Sequence, residues 1–266
     1  MSSWAPTKYE TRNWPSYNAA LKQRGTLSIW FDPEMIWEPQ PSGTRGLQQR
    51  FSGSAVQTCL TLKVLFGMPL RQPTGLVQSL LQSGGLFSRR TRKHCGPKRR
   101  LWRKIHIGID EETLEVRAVE VTTNNVGDAP MLPELLVQTP PDQSVGSVTA
   151  DGAYDTRISH DAIAARGGHA VIPPRKNAKP WKPTSAGAIA RNEAVNASRY
   201  LGRAIWRRWS GYHRRSRVES KMNCIKLLGQ SLMARDFERQ VAEVQVRVAV
   251  LNRYTTLGIP VTEPVG

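Results

Sequence analysis

The sequence carries no acidic residue from Pro39 through Ile109, a window that holds thirteen Lys or Arg. Cysteine is scarce: Cys59, Cys95 and Cys224 are an odd number with no short spacing. They build neither a disulfide framework nor a zinc knuckle, so a reducing compartment is expected. No apolar run approaches the ~20 residues that span a bilayer. The N-terminal MSSWAPTKYETRNW has no apolar core and does not read as a signal peptide. Internal repeats and low-complexity tracts are absent too, which excludes solenoids and fibrous classes. A cytoplasmic protein is the expectation, and 266 residues suffice for a core without disulfide staples.

What is abundant is positive charge. Lys and Arg total 38 against 21 Asp and Glu, giving a formal net charge of +17 and a pI near 10.4. An ordinary acidic cytosolic enzyme is excluded, and a polyanionic partner is favoured: DNA, RNA or an anionic membrane surface. Nine bases fall between Arg89 and Lys104, among them Lys98, Arg99 and Arg100. Residues 110–161 reverse the balance with eleven acids and two bases, and the last third is basic again, densest from Arg199 to Lys221. Either basic cluster alone reads equally well as a solvated face. Two clusters flanking an acidic middle suit a phosphate-binding rim around a carboxylate-bearing site.

The periodicities predict a mixed α/β layout with one sheet. Residues 1–50 read as irregular with one short helix. Ser54 is placed to cap a helix over AVQTCLTLKVLF, with Val56, Leu60 and Val64 as its stripe and Gly67 as its stop. A second helix is expected over Thr74–Leu81, and the pair has the form of a helix-turn-helix. KIHIGID then alternates with period two, placing Ile105, Ile107 and Ile109 on one face, and LEVRAVEV returns as the second strand of a hairpin. PMLPELLV reads as a helix, SVGSVTAD as a short strand, Thr156–Arg166 as a helix and HAVIPP as a strand. From Ala186 the chain is mostly helical, broken near Trp209–Tyr212, and a last helix from Phe237 to Tyr254 has Val241, Val244, Val248 and Leu251 inside.

Two carboxylates stand out. Asp151 ends an apolar strand, followed by Gly152, Tyr154 and Asp155. It reads either as a carboxylate at a sheet rim, where ligands bind in open α/β layers, or as the cap of the next turn. Glu219 is the only acid between Ala194 and Arg235. Tyr212 at −7, Arg215 at −4 and Lys226 at +7 share its face if the helix is continuous. That group is either an ion-paired surface or a metal ligand whose basic neighbours grip phosphates on either side of a reacting bond. His94, Cys95 and His106 fit no common zinc spacing. His160 and His169 read as surface or strand-end residues.

The order Tyr, two residues, Arg, three residues, Glu, six residues, Lys resembles the C-terminal signature of transposases of bacterial insertion sequences. TADGAYDT is similar to their second-aspartate region. RKHCGPKRRLWRKIHIGIDEETLEVRAVEVT, HAVIPPRKNAKPW and ARNEAVNASRYLGRAIWRRWSGYHRRSRVESKM resemble the insertion-sequence-five group, as does QTCLTLKVLFGMPLRQPTGLVQSLL. The likeness runs from about residue 45 to the C-terminus. It implies an RNase H-like core over 87–255, a helical DNA-binding region over 1–86 and a tail over 256–266. It also implies cutting and joining of DNA at terminal inverted repeats, on duplex DNA bound by a homo-oligomer. In the family two Asp and one Glu hold Mg²⁺ or Mn²⁺. Two hard cations about 4 Å apart activate the attacking oxygen and stabilise the leaving one, and such cations take carboxylate ligands. By resemblance Asp151 is the second Asp, Glu219 the third acid, and Tyr212, Arg215 and Lys226 the supporting residues.

The first Asp of that pattern has no counterpart, because the family places it on a strand inside the acid-free window. An internal deletion joining near Phe87–Arg92 is the simplest account. Asp110 matches the hairpin turn instead of the strand end. The alternative to an active transposase is a DNA-binding remnant that holds element ends without cutting.

Overall fold

The computed structural model describes residues 8–26, 29–32, 34–39, 51–69, 72–82 and 102–265. Along the chain run β1 (Lys8–Thr11), α1 (Trp14–Arg24), α2 (Gly53–Phe66), α3 (Gln72–Gln82), β2 (Arg103–Ile109), β3 (Val116–Thr123) and α4 (Met131–Val137). There follow β4 (Ser147–Thr149), α5 (Arg157–Ala165), β5 (His169–Val171), α6 (Ala186–Tyr200), α7 (Arg203–Trp209), α8 (Ser216–Leu227), α9 (Phe237–Leu257) and β6 (Thr262–Val265). The chain divides into two compact units, Met1–His94 with Leu227–Gly266, and Cys95–Lys226.

In the first unit the two ends of the chain meet. β1 and β6 pair antiparallel, with Thr11 opposite Thr262. Helix α2 is capped by Ser52, whose hydroxyl accepts from the Ala55 amide at 3.1 Å, and not by Ser54. Gly67 ends it in the left-handed region at φ 61°, as expected of a glycine cap. The expected stripe is rotated: Val64 is buried, but Val56 is exposed, and Ala55, Leu62 and Lys63 fill the inner face. The cause is a charge on the facing helix. Lys63 donates to Glu243 Oε1 at 2.7 Å, and Arg247 Nη2 donates to the same oxygen at 3.0 Å. Glu243 Oε2 accepts from the Met233 and Ala234 amides. Burial pushes the Glu243 carboxyl up, but Lys63 and the two amides outweigh it and hold the group below its usual range. Three of the four expected inner residues of α9, Val244, Val248 and Leu251, are buried beside this ion cluster.

The second unit begins with the expected hairpin. Ile105 faces Val121 and Ile107 faces Val119, with an irregularity between Gly108 and Ile109. The buried residue of β2 is His106, while the Ile stripe is half-buried. The His106 ring lies 3.0 Å from Thr122 Oγ1, and burial, the leading influence, lowers its pKa. Gln138, just past α4, closes the outer edge of β3: its side-chain carbonyl accepts from the Val119 amide at 2.9 Å and its NH₂ donates back to the Val119 carbonyl.

β4 and β5 pair parallel, Val148 opposite Ala170. Parallel neighbours need a crossover, here a 3₁₀ turn over Gly152–Tyr154 and then α5, capped by the Thr156 hydroxyl. Leu132, Ile163, Ala170 and Ile172 form the core of this region, with Leu136, Val148, Ala150 and Tyr154 packed against it. The single sheet expected from the sequence is not formed among the described residues. The strands make three two-stranded ladders, β1–β6, β2–β3 and β4–β5. The expected helical run from Ala186 also breaks once more than anticipated, at Gly202, whose φ of 82° separates α6 from α7.

Candidate active site

Asp151 lies just past β4, where the Ala150 amide still donates to the Val171 carbonyl. Its Oδ1 accepts from the Ala153 amide at 2.8 Å and caps the 3₁₀ turn. Gly152 is not one of the positive-φ residues, so the turn is set by this cap and not by glycine freedom. Oδ2 accepts from Arg215 Nη2 at 3.2 Å. Asp151 is therefore both the cap and a carboxylate facing a distant basic residue, and the two readings of the sequence are compatible.

Arg215 comes from a tight segment. Gly211 at φ 72° opens a 3₁₀ turn over Tyr212–Arg215 that leads into α8. The four signature residues thus do not ride one uniform α-helix. Tyr212 and Arg215 are three apart on the 3₁₀ turn, where such residues eclipse, while Glu219 and Lys226 are seven apart on α8. Arg215 Nη1 donates to Glu219 Oε1 at 2.5 Å across one turn. One guanidinium thereby joins the two carboxylates. Burial alone would lower the Arg215 pKa, but the hydrogen bond to Glu219 and the nearby acidic groups raise it, so the cation is firm. Glu219 is 63% exposed and Asp151 39%.

The other predicted residues stand around this centre or beyond it. Tyr212 is half-buried, its ring 6.2 Å from that of Trp206 and 5.5 Å from the Arg207 guanidinium carbon. Lys226 is exposed at the end of α8. Lys98, Arg99 and Arg100 lie outside the described residues. Tyr154, packed beside Asp151, has its hydroxyl pushed up to about 12 by burial first and then by Asp128 and Asp151. It remains a neutral phenol.

A supporting network escaped the sequence reading. Asp155 is buried, and its Oδ1 accepts from Arg191 Nε at 2.9 Å and faces His160 Nε2 at 3.3 Å. Its Oδ2 accepts from the Arg175 amide and from Arg191 Nη2. Burial pushes the Asp155 carboxyl up, but His160, Arg191 and the Arg175 amide outweigh that and hold it well below the carboxylate range. The Trp181 ring covers the cluster, 4.0 Å from the Arg191 guanidinium. His160, expected at the surface, is 2% exposed here. The spacing carried no signal for it, since residues four apart share a side in helix and strand alike; the inward turn of Asp155 is set by Arg191 on α6.

The ligand count decides what the centre can hold. Every Asp and Glu of the sequence lies among the described residues. Among those residues no group of three or more His, Cys, Asp or Glu is placed to hold a metal ion. Asp110, the nearest substitute in sequence, spends Oδ1 on the Glu112 and Thr113 amides of its own turn. These bonds, led by the Thr113 amide, hold its carboxyl below the usual range against the opposing effect of burial. Two carboxylates sharing one guanidinium do not fit a paired-cation centre, which needs a further bridging carboxylate.

The family model for the transposase DDE domain matches residues 71–253, more than half of the chain. No solved structure matches it.

Proposed function

Because the chain belongs to the transposase DDE-domain family, we propose that it acts on DNA as an insertion-sequence transposase of the insertion-sequence-five group, in a form that binds but does not cut. The observation that carries this reading is the Asp151–Arg215–Glu219 arrangement, with no group of three or more His, Cys, Asp or Glu placed to hold a metal ion among the described residues. In the family chemistry divalent metal would activate the attacking oxygen of water or a DNA hydroxyl and stabilise the leaving oxygen. Here the residues offer two carboxylates, Asp151 half-buried and Glu219 exposed, that already share one arginine, and no step is assigned to them.

The reading includes an RNase H-like core that has lost a strand. It is supported by the separation of β2–β3 from β4–β5, which such a core would join through a central strand carrying the first Asp. The junction of the deletion falls near Phe87–Arg92, outside the described residues. Binding is assigned to Tyr212, Arg215 and Lys226, to Lys98, Arg99 and Arg100, and to duplex DNA at element ends held by a homo-oligomer. The cytoplasm, at the nucleoid, is the corresponding location. Among the described residues no helix is long and apolar enough to cross a membrane.

The test is a fluorescence-anisotropy titration of labelled duplex DNA at several salt concentrations. Neutralising about six phosphates gives a log–log slope near −5. A slope near zero between low and physiological salt would remove the phosphate-binding rim and the reading with it.

A further inference from the structure

The turn of the β2–β3 hairpin is acidic, and it lies against the basic segment that opens α8. Glu111 Oε1 accepts from Arg214 Nη1 at 2.5 Å, and the Glu111 carbonyl accepts from Arg217 Nη1 at 2.5 Å. The residues meet across more than a hundred positions of sequence within the second unit. Neither arginine belongs to the Tyr–Arg–Glu–Lys spacing. Arg215, which lies between them in sequence, is turned the other way, onto Asp151 and Glu219. Arg214 and Arg217 therefore flank the candidate site without taking part in it.

The turn fixes Glu111 in this place. Asp110 holds the Glu112 and Thr113 amides, and the Leu114 amide returns to the Asp110 carbonyl at 3.0 Å. Glu111 is left to present both a carboxylate and a carbonyl to the two guanidiniums. Two guanidiniums set on two oxygens of one residue form an arrangement these groups also take around a phosphate. The contact is open to solvent, with the Arg214 side chain 52% exposed and Glu111 35% exposed. Exposed ion pairs of this kind hold weakly. A phosphodiester backbone drawn in by the net charge of +17 competes for the same forks.

We propose that Arg214 and Arg217 form a binding place for a backbone phosphate of duplex DNA, and that Glu111 occupies it in the free protein until DNA displaces it. The proposal rests on the DNA-binding reading above and adds two contact residues and an internal competitor. The test compares Glu111→Gln with Glu112→Gln in the full chain, by anisotropy with a labelled duplex. Both variants remove one negative charge from the same turn, but Glu112 is not a partner of either arginine. Glu111→Gln is expected to bind up to about fivefold tighter than the parent, the release of one exposed ion pair. Glu112→Gln is expected to gain clearly less. The double variant Arg214→Ala/Arg217→Ala is expected to bind more weakly and to lower the magnitude of the salt slope by about 1 to 2. Equal gains in the two glutamine variants, or an unchanged slope in the double variant, would overturn the proposal. If that happens while the parent keeps its steep slope, only the clasp is lost. A parent slope near zero removes the DNA-binding reading as well.

Discussion

Asp155 and Asp151 stand four residues apart and have opposite fates. Asp151 turns outward to Arg215, and Asp155 turns inward to Arg191 and His160. The sequence shows two acids after a short strand, but which one is buried depends on Arg191, 36 positions later on α6. That dependence is why Asp151 was legible and the Asp155 network was not. Breaking a buried ion pair leaves an uncompensated charge. Arg191→Ala should therefore cost about 3–5 kcal/mol, read from urea unfolding. The pH dependence follows from the same group. Asp155 has a folded pKa below its unfolded value of about 3.9. Its stabilising contribution is thus full well above that value and is lost progressively as pH falls from there through the lower folded pKa. Between about pH 5 and pH 2 the parent should lose more stability than Asp155→Asn, which has no proton to take up there. Parallel loss in both proteins would show that Asp155 does not carry the acid sensitivity.

At the scale of elements, local signals were legible where chain chemistry sets the boundary. Gly67 ends the helix it was expected to stop, the helix expected from Thr156 forms with Thr156 as its cap, and the hairpin forms with its Ile residues paired to Val. Faces were less legible, because a face is chosen by the partner. Lys63 turns inward because Glu243 waits on α9, and no periodicity within α2 reports that. The approach of α5 to α6 was likewise invisible. A Cβ placed on Gly187 would lie 2.4 Å from Asp161 Oδ1 and 2.5 Å from the His160 carbonyl carbon. Backbone cannot yield as a side-chain tip can. Ala in place of Gly ordinarily favours a helix by about 0.5–1 kcal/mol, yet Gly187→Ala should lose roughly 1–3 kcal/mol through overpacking. A rise in the urea midpoint would mean that the two helices do not pack this closely.

For the whole molecule, composition pointed to a polyanionic partner and motif spacing to the family, and the family model bears out the second point. Sheet connectivity was not legible. The run of strands suggested one sheet, whereas three separate ladders form among the described residues. Pairing is a long-range property, and a sequence that reads strand by strand does not show whether a neighbour lies between them. The same gap bears on chemistry. Phosphoryl transfer draws most of its acceleration from fixed positions of metal and substrate, and two carboxylates bound to Arg215 do not fix a pair of cations. The direct measurement is strand cleavage by the purified protein, with Mg²⁺ or Mn²⁺, of supercoiled DNA carrying the sequences that flank its gene. The account predicts retained DNA binding and no cleavage above the level given by Asp151→Ala. Cleavage that exceeds this level and disappears in Asp151→Ala would contradict it, and would mean that another acid completes the centre.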